Sequence, residues 1–122
     1  LDEKLDPTLT ASDLRHGMAE LETLMPVLWS EGVATGKISV ATFVEVTSTT
    51  AARLFGLYPR KGTIAPGSDA DIVIWNPNDT RTIDGAAMHS NAGYSPYDGW
   101  QVTGWPELTI SRGGMVSRAT PV

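Results

Sequence analysis

Apolar residues recur with helical spacing in the first half of the chain, and in short β-rich runs after Gly56. A helix is predicted over residues 24–34, because an apolar stripe repeats there every three or four residues. The stripe consists of Leu21, Leu24, Met25, Leu28 and Trp29. Thr23 is the predicted N-cap, since its hydroxyl can accept a hydrogen bond from a first-turn amide. Gly36 is predicted to end the segment.

Two more helices are predicted in the first half. The earlier one covers residues 40–47 with Ser39 as its cap, and its predicted inner face comprises Val40, Phe43, Val44 and Thr47. The later one covers residues 50–55 and ends at Gly56, because glycine readily adopts the left-handed conformation common after a helix. The hydroxyl-rich joint at residues 47–50 favours helix capping over a catalytic serine.

Short β-rich runs in the second half predict strands at residues 71–75, 81–83, 108–111 and 115–117. The last two flank Arg112-Gly113-Gly114, which predicts a hairpin. Residues 1–19 lack periodicity and are predicted to be a loop or an extended arm. We therefore predict an α+β chain with two parts. Residues 1–55 form the N-terminal arm and helices, and residues 56–122 form the sheet portion.

The chain has 122 residues, two histidines and no cysteine. Its length suits one small domain, of about 100–150 residues. Without cysteine, disulfide frameworks, iron–sulfur clusters and thiolate zinc sites are excluded. His16 and His89 cannot supply the three-histidine ligand set of many catalytic zinc sites. A self-contained, histidine-rich metal centre is therefore excluded.

The charge balance limits the class of partner. Nine basic and 14 acidic residues give a net charge of -5. A chain with an acidic excess lacks the strongly basic surface that binds the phosphates of nucleic acids, so no nucleic-acid partner is predicted. No apolar run reaches the roughly 18 residues that cross a bilayer, and no signal peptide opens the chain. We therefore predict a cytoplasmic protein with no membrane partner.

Asp69 and Asp71 form the most suggestive local group. Two carboxylates at this spacing could bind a hard cation or act in acid–base chemistry. The preceding turn at residues 66–68 favours another role, in which the carboxylates accept hydrogen bonds from turn amides.

Three other groups are less specific. His89-Ser90 lies near Asp84 and Asp98 in sequence, but the segment lacks the strand-turn-helix of a nucleophile elbow, so no triad is predicted. Arg60-Lys61 is predicted to be a solvated turn or an ion-pair donor, and not a phosphate site. Packing is favoured over a ligand cage for the aromatic residues Tyr94, Tyr97, Trp100 and Trp105.

The order of motifs resembles one known family. Residues 55–62 read Phe-Gly-Leu-Tyr-Pro-Arg-Lys-Gly, and residues 67–73 read Gly-Ser-Asp-Ala-Asp-Ile-Val. Together they resemble the C-terminal region of hydantoinases and dihydropyrimidinases, in the metal-dependent amidohydrolase superfamily. Further matching stretches lie upstream, within residues 30–39, and downstream, within residues 94–113. The resemblance covers nearly everything from about residue 17 to residue 116.

The resemblance implies a fold and an activity. In that family a (β/α)8 barrel carries the catalytic site, and a smaller β-sandwich is built from both ends of the chain. Residues 20–55 would be the last helices of the barrel, and residues 57–122 the C-terminal strands of the β-sandwich. The implied activity is hydrolysis of a cyclic amide C–N bond, as in hydantoin or dihydropyrimidine ring opening.

The resemblance also implies where the chemistry lies. The family's metal ligands are a His-x-His pair, a carboxylated lysine, two further histidines and an aspartate, all before the matched region. This implies no metal and no catalytic residue in this chain, and divalent zinc-type metals in the full-length parent. In hydantoinases an Asn-Gly before these helices contacts the cyclic substrate through its main chain. His16-Gly17 takes that place here; Gly17 matches, whereas His16 replaces the asparagine and could instead be an ordinary loop residue.

Three interpretations remain open from the sequence. The first is a C-terminal portion of a hydantoinase-like or dihydropyrimidinase-like hydrolase, without its barrel and inactive on its own. The second is a non-catalytic, dihydropyrimidinase-like scaffold or interaction protein, and the third is a free-standing β-rich binding module. Missing N-terminal sandwich strands would leave sheet edges and apolar faces uncovered, which predicts self-association.

Overall fold

The computed structural model describes Thr8, Thr10, Ser12 and residues 19–118. Most of the predicted arm, including His16 and Gly17, lies outside the described residues. The chain divides into two compact units. In the described part of the chain, one unit contains residues 19–24 and 82–101, and the other contains residues 25–81 and 102–118.

The first helical segment covers the predicted residues 24–34. An α-helix, α1 (Leu24–Leu28), continues as a π-helical turn at Trp29–Ala34. Gly36 has a φ of 75°, and the two amides after it bond back to the Gly32 carbonyl at 2.9 and 3.1 Å. A left-handed glycine allows the chain to turn away from a helix end in this way. The predicted end at Gly36 is confirmed.

The start of α1 differs from the predicted N-cap. The Thr23 hydroxyl donates to the Glu20 carbonyl at 3.2 Å instead of accepting from the first helical turn. The same carbonyl accepts the amides of Thr23 and Leu24, at 3.0 and 2.8 Å. Thr23 is fully buried, so its hydroxyl needs this partner within its own turn. Thr23 lies directly before α1, as predicted, but its hydroxyl closes the preceding turn.

The helices predicted after Ser39 form one continuous helical run. It consists of α2 (Val40–Val44), a π-helical turn (Glu45–Thr49) and α3 (Thr50–Leu54). Ser39 is the N-cap as predicted, since its hydroxyl accepts the Thr42 amide at 3.0 Å. Gly56, with a φ of 66°, follows the run as predicted.

The interior of this run corrects two predictions. No joint interrupts it at residues 47–50, since the π-helical turn leads directly into α3. The Thr47 hydroxyl donates to the Phe43 carbonyl at 2.7 Å, one turn back along the same helix. The predicted inner face is right for Phe43, which is buried. It is wrong for Val40 and Val44, which are 52% and 47% exposed.

The sheet has three strands in the order β1 (Ile72–Thr82), β2 (Gln101–Ser111) and β3 (Gly114–Arg118). β2 and β3 are antiparallel and form the predicted hairpin, with Ser111 opposite Gly114. Arg112 and Gly113 have φ values of 49° and 82°. Two successive left-handed residues are what a type I′ hairpin turn requires. With helices first and sheet second, the described residues confirm the α+β class.

β1 joins the two strands predicted at residues 71–75 and 81–83 into one. Pro77 lies inside β1, where the sequence predicts a boundary. A proline is tolerated there because β1 is an edge strand and can dispense with one backbone donor. The hydroxyls of Thr80 and Thr103 hydrogen bond at 3.1 Å between β1 and β2.

Three aromatic residues form the core of the unit that contains the helical run. The rings of Trp29, Phe43 and Trp75 contact one another with centroids 5.1, 5.3 and 5.8 Å apart. A Cβ at Gly104 of β2 would collide with the Trp29 ring, so glycine alone permits this approach of the indole to the strand. Ser30 accepts the Thr103 amide at 3.2 Å beside it. These contacts attach the π-helical turn to β2.

The other unit is built on the segment between β1 and β2. Its base is closed where Ile83 donates to the Trp100 carbonyl and Gly99 donates to the Ile83 carbonyl, both at 2.8 Å. Ile83 is buried. A Cβ added to Gly85 would lie 2.7 Å from the carbonyl carbon of Tyr94. The base of this segment is therefore tightly packed.

Candidate functional site

The candidate carboxylates lie at the end of the irregular segment between α3 and β1, which we call the 57–71 loop. The Lys61 ammonium lies between them, 2.9 Å from Asp69 Oδ2 and hydrogen bonded to Asp71 Oδ2. We call these three side chains the Lys61 clasp. They are 34%, 31% and 35% exposed, so the pairing is shared with solvent. A lysine ammonium thus occupies the position that a bound cation would need.

Asp71 also connects the loop to the hairpin turn. Its Oδ1 accepts the amide of Arg112 at 2.7 Å, 41 residues later in the chain. The next amide, that of Gly113, donates to the Ala70 carbonyl at 3.1 Å. For Asp71, the prediction that the carboxylate accepts a hydrogen bond from a turn amide is correct. It is wrong about the turn, because the amide belongs to the hairpin and not to residues 66–68.

Charge pairing fixes the protonation states within the clasp. The hydrogen bond to Asp71, and next that to Asp69, raises the pKa of the Lys61 ammonium above its ordinary value. The Lys61 hydrogen bond, and next the Arg112 amide, lowers the pKa of the Asp71 carboxyl. Lys61 therefore stays charged and Asp71 stays ionised through the neutral range. Neither group is suited to exchange protons with a substrate there.

Further polar contacts hold the 57–71 loop. Arg60 Nε lies 3.7 Å from Asp69 Oδ2, so Arg60 and Lys61 are both ion-pair donors, one of the two roles predicted for them. Thr49 of the helical run donates its hydroxyl to the Gly62 carbonyl at 2.8 Å. Chemically, the arrangement fastens the loop to the helical run and to the hairpin turn.

His89 has a partner that the sequence does not suggest. Its ring Nδ1 lies 2.9 Å from Glu22 Oε1, 67 residues earlier, and no spacing rule reaches across such a separation. Asp84 and Asp98 accept backbone amides of their own segment instead, at 2.9 and 2.6 Å. Ser90 accepts a nearby amide at 3.2 Å. These contacts do not bring the four side chains into one hydrogen-bonded series.

The aromatic candidates have packing partners. Trp100 meets Tyr97 edge-on, with ring centroids 5.2 Å apart. The Arg81 guanidinium lies 5.2 Å from the centroid of the Trp105 ring, and it also pairs with Asp79 at 2.8 Å. These contacts agree with the packing role predicted for both tryptophans.

The described residues do not fit a catalytic metal. Residues 19–118 with Thr8, Thr10 and Ser12 contain no group of three or more histidine, cysteine, aspartate or glutamate side chains that could hold a metal ion. The Asp69–Asp71 pair is already neutralised by Lys61. His16 and Gly17, the predicted substrate contacts, lie outside the described residues. In the same part of the chain, no helix has the length and apolar character to span a membrane.

Comparison with known proteins connects this geometry to a family. The chain is 52% identical to dihydropyrimidinase 2 of Caenorhabditis elegans over 101 residues, which is 83% of this chain and 19% of that protein. It is 48% identical to the dihydropyrimidinase of Rattus norvegicus over 85% of this chain and 20% of that protein. It is also 48% identical to a D-phenylhydantoinase of Escherichia coli over 83% of this chain and 22% of that protein. The chain therefore spans about a fifth of the length of these curated relatives.

Solved structures give the same result. The chain superimposes on a D-hydantoinase (dihydropyrimidinase) from Thermus sp. with a TM-score of 0.88 and 37% identity, covering 96% of this chain and 26% of that one. These similarities confirm the resemblance to hydantoinases and dihydropyrimidinases. The amidohydrolase family model matches residues 9–116, most of the chain. This chain belongs to the amidohydrolase family.

Proposed function

We propose that the chain is part of a hydrolase that opens cyclic amide rings, such as hydantoin or dihydropyrimidine rings. The observation that carries this proposal is the identity of 48–52% to relatives named dihydropyrimidinase or D-phenylhydantoinase, over more than four fifths of the chain. Because the described residues hold no metal cluster, the chain would contribute structure and not the reacting centre. Divalent zinc-type metals would be bound by other residues of the whole protein.

The proposed architecture places residues 1–55 on the barrel side and residues 56–122 in the β-sandwich. Exposed apolar side chains support it, because a barrel wall would cover them. Leu54 and Phe55, at the end of the helical run, are 79% and 77% exposed, and Leu21 is 90% exposed. On the sheet side, all five residues of β3 are exposed.

The same surfaces support self-association when this chain is alone. Apolar side chains exposed to this extent favour contact with another apolar surface. Sedimentation of the 122-residue chain at micromolar concentration should therefore show species larger than a monomer. A stable monomer would contradict this part of the proposal.

The decisive experiment compares this chain with the complete product of its gene. Both are purified, their metal content is measured, and ring opening of hydantoin and dihydrouracil is assayed. We expect metal-dependent turnover by the complete product, and neither stoichiometric metal nor turnover in residues 1–122. A complete product that binds no metal and opens neither ring would overturn the proposal and favour the scaffold interpretation.

A chimera provides a matched test of this chain's own contribution. The matching segment of the Escherichia coli D-phenylhydantoinase is replaced by the matched segment of this chain. Retained turnover of that enzyme's substrate would show that the two segments are interchangeable. The same chimera with His16→Asn, which restores the asparagine of the family pattern, tests the predicted substrate contact at His16-Gly17. Because the predicted contact uses the main chain, KM should change little, and a large change in KM would mean that the side chain at this position contacts the substrate.

A further inference from the structure

Two Asp-Gly sequences lie in the 83–100 loop, the segment between β1 and β2. They are Asp84-Gly85 and Asp98-Gly99, and the chain has no others. An aspartate followed by glycine is prone to isomerise, because glycine has no side chain to hinder attack of its amide nitrogen on the preceding carboxyl group. The structure places both sequences at the base of the loop, where each glycine amide has a hydrogen-bond acceptor.

The isomerisation of Asp84 would join two neighbouring groups. The Gly85 nitrogen loses its proton and attacks Cγ of the protonated Asp84 carboxyl. The N–Cγ bond forms, and a Cγ–O bond breaks as hydroxyl and amide proton leave together as water, which gives a succinimide. Water then opens the ring at either carbonyl and yields aspartate or isoaspartate. One water leaves and one enters, so no other reactant is needed.

The Asp84 carboxylate already lies beside the backbone that follows it. Its Oδ1 accepts the Ala86 amide at 2.9 Å, and the Asp84 carbonyl accepts the Ala87 amide at 3.1 Å. Asp84 is exposed, so water for the second step can reach it. Because the carboxyl is close to its target and accessible, the Gly85 amide decides whether the reaction proceeds.

The Gly85 amide is restrained in two ways. It donates to Asp98 Oδ1 at 2.6 Å, and a carboxylate at this distance disfavours the anionic nitrogen that would attack. Gly85 is also buried, and a Cβ added to it would lie 2.7 Å from the carbonyl carbon of Tyr94. The peptide therefore has little room to rotate toward the Asp84 carboxyl.

We propose that Asp84-Gly85 is a latent isoaspartate site, which Asp98 keeps unreactive by holding the Gly85 amide at the loop base. Asp98-Gly99 is restrained differently, since the Gly99 amide donates to the Ile83 carbonyl at 2.8 Å. Isomerisation at Asp84 proceeds from the fraction of molecules in which the base is open. The site is independent of the proposed hydrolase activity, because the reaction needs neither metal nor cyclic amide.

The test measures isoaspartate at position 84 of the 122-residue chain during incubation at neutral pH. Peptide mapping with fragmentation that distinguishes isoaspartate from aspartate gives the rate at each position. The same chain unfolded in guanidinium chloride gives the rate without a loop base. We expect the rate at Asp84 to be on the order of tenfold lower in the folded chain, as one hydrogen bond to a charged acceptor implies. Equal rates in the folded and unfolded chain would overturn the proposal.

Variants separate the role of Asp98 from that of folding in general. Asp98→Ala removes the acceptor of the Gly85 amide and should raise the rate at Asp84 roughly five- to tenfold. Ser90→Ala is the matched control, because it removes another side-chain acceptor in the same loop, that of the Ala92 amide at 3.2 Å. It should leave the rate at Asp84 unchanged. Adding Asp84→Glu to Asp98→Ala should abolish the product at position 84, since glutamate would have to close a larger ring.

Exchange of the Ile83 amide, which donates to the Trp100 carbonyl at 2.8 Å, reports whether the loop base persists in Asp98→Ala. With the base intact, an unchanged or lower rate at Asp84 would overturn the proposal, and a lower rate would mean that the Asp98 carboxylate promotes the attack. If the base opens in this variant, the rate at Asp84 should reach that of the unfolded chain. A rate that stays at the value of the folded, unmodified chain would then overturn the proposal.

Discussion

Two long irregular segments among the described residues, the 57–71 loop and the 83–100 loop between β1 and β2, are held by different kinds of contact. Asp71 fastens the first to the hairpin turn, Lys61 pairs with Asp71 within the loop, and Thr49 fastens the loop to the helical run. The second is closed at its base by backbone hydrogen bonds and held at its tip by Glu22. In the described residues, side-chain contacts are distributed along the first loop, whereas backbone hydrogen bonds close the base of the second.

The loops share one feature, a glycine at a close approach. Gly62 lies against the helical run, and Gly85 lies against the backbone of the opposite side of its own loop. The two glycines differ in what they meet, a side chain or a backbone. Adding a methyl group at each position therefore tests the packing of each loop.

The largest expected effect is that of Gly62→Ala in the 57–71 loop. Gly62 has a φ of +78°, and a Cβ there would lie 2.5 Å from the Cβ of Ala52 in α3. Left-handed strain and overpacking together should lower the free energy of unfolding by about 4 kcal/mol, measured by urea denaturation. Gly67→Ala is the matched control, since φ is +91° and nothing lies within 4 Å. It should cost about 1 kcal/mol; equal costs for both variants would show that Ala52 does not restrict the loop.

Gly85→Ala should have the next largest effect, about 3 kcal/mol of unfolding free energy. Its Cβ would lie 2.7 and 2.8 Å from the carbonyl carbon and Cα of Tyr94, so the backbone itself would have to move. Gly93→Ala, at the far end of the same loop, has a φ of +68° and no atom within 4 Å. It should cost about 1 kcal/mol. If both variants lowered the free energy of unfolding equally in the same urea titration, the base of the 83–100 loop would not be more tightly packed than the segment around Gly93.

Local signals account for the parts of the fold that the sequence predicts well. Ser39 caps its helix through its own side chain, and the hairpin turn needs two left-handed residues that Arg112-Gly113 provides. The sequence fails where tertiary context decides. Pro77 does not interrupt β1, because an edge position removes the cost of the missing donor. The Thr23 hydroxyl serves its own turn, because burial makes the nearest carbonyl its partner.

The candidate site was harder to predict than the fold for the same reason. The sequence identifies Asp69, Asp71 and Lys61 as charged positions, but not that they pair, and it gives no indication of Arg112 as a partner 41 residues away. Because Lys61 pairs with both carboxylates, the two aspartates form a structural contact where the sequence alone suggests a possible cation site. The family resemblance, in contrast, rests on a contiguous order of motifs and needs no tertiary information. The family resemblance is therefore the most informative inference from the sequence.

Thr49→Val tests the tie between the 57–71 loop and the helical run. The substitution removes the hydroxyl that donates to the Gly62 carbonyl at 2.8 Å and keeps a β-branched side chain. The loss of one half-buried hydrogen bond should lower the unfolding free energy by about 1 kcal/mol. Thr47→Val is the matched control, since the Thr47 hydroxyl only bonds back to the Phe43 carbonyl of its own helix. Thr47→Val should change the unfolding free energy by at most roughly a few tenths of a kcal/mol. A larger loss would mean that the hydrogen bond from Thr47 to the Phe43 carbonyl stabilises the helix.

The smallest expected effect is that of Asp71→Asn, which separates charge from geometry in the Lys61 clasp. Asparagine keeps an oxygen for the Arg112 amide and removes the ion pair, and ion pairs this exposed contribute little. Because the folded state lowers the pKa of Asp71, its contribution is present above the unfolded value, about 3.9, and is lost as pH falls through the folded value.

The raised pKa of Lys61 has the opposite sign. Its contribution is present below the unfolded value, about 10.4, and is lost as pH rises through the folded value. Asp71→Asn should therefore lower the urea midpoint slightly at pH 7, and the difference from the unmodified chain should vanish in strong acid. If the difference in urea midpoint persisted unchanged in acid, Asp71 would stabilise the loop through its hydrogen bond and packing and not through its charge. The 57–71 loop would then not differ from the 83–100 loop by its ion pair.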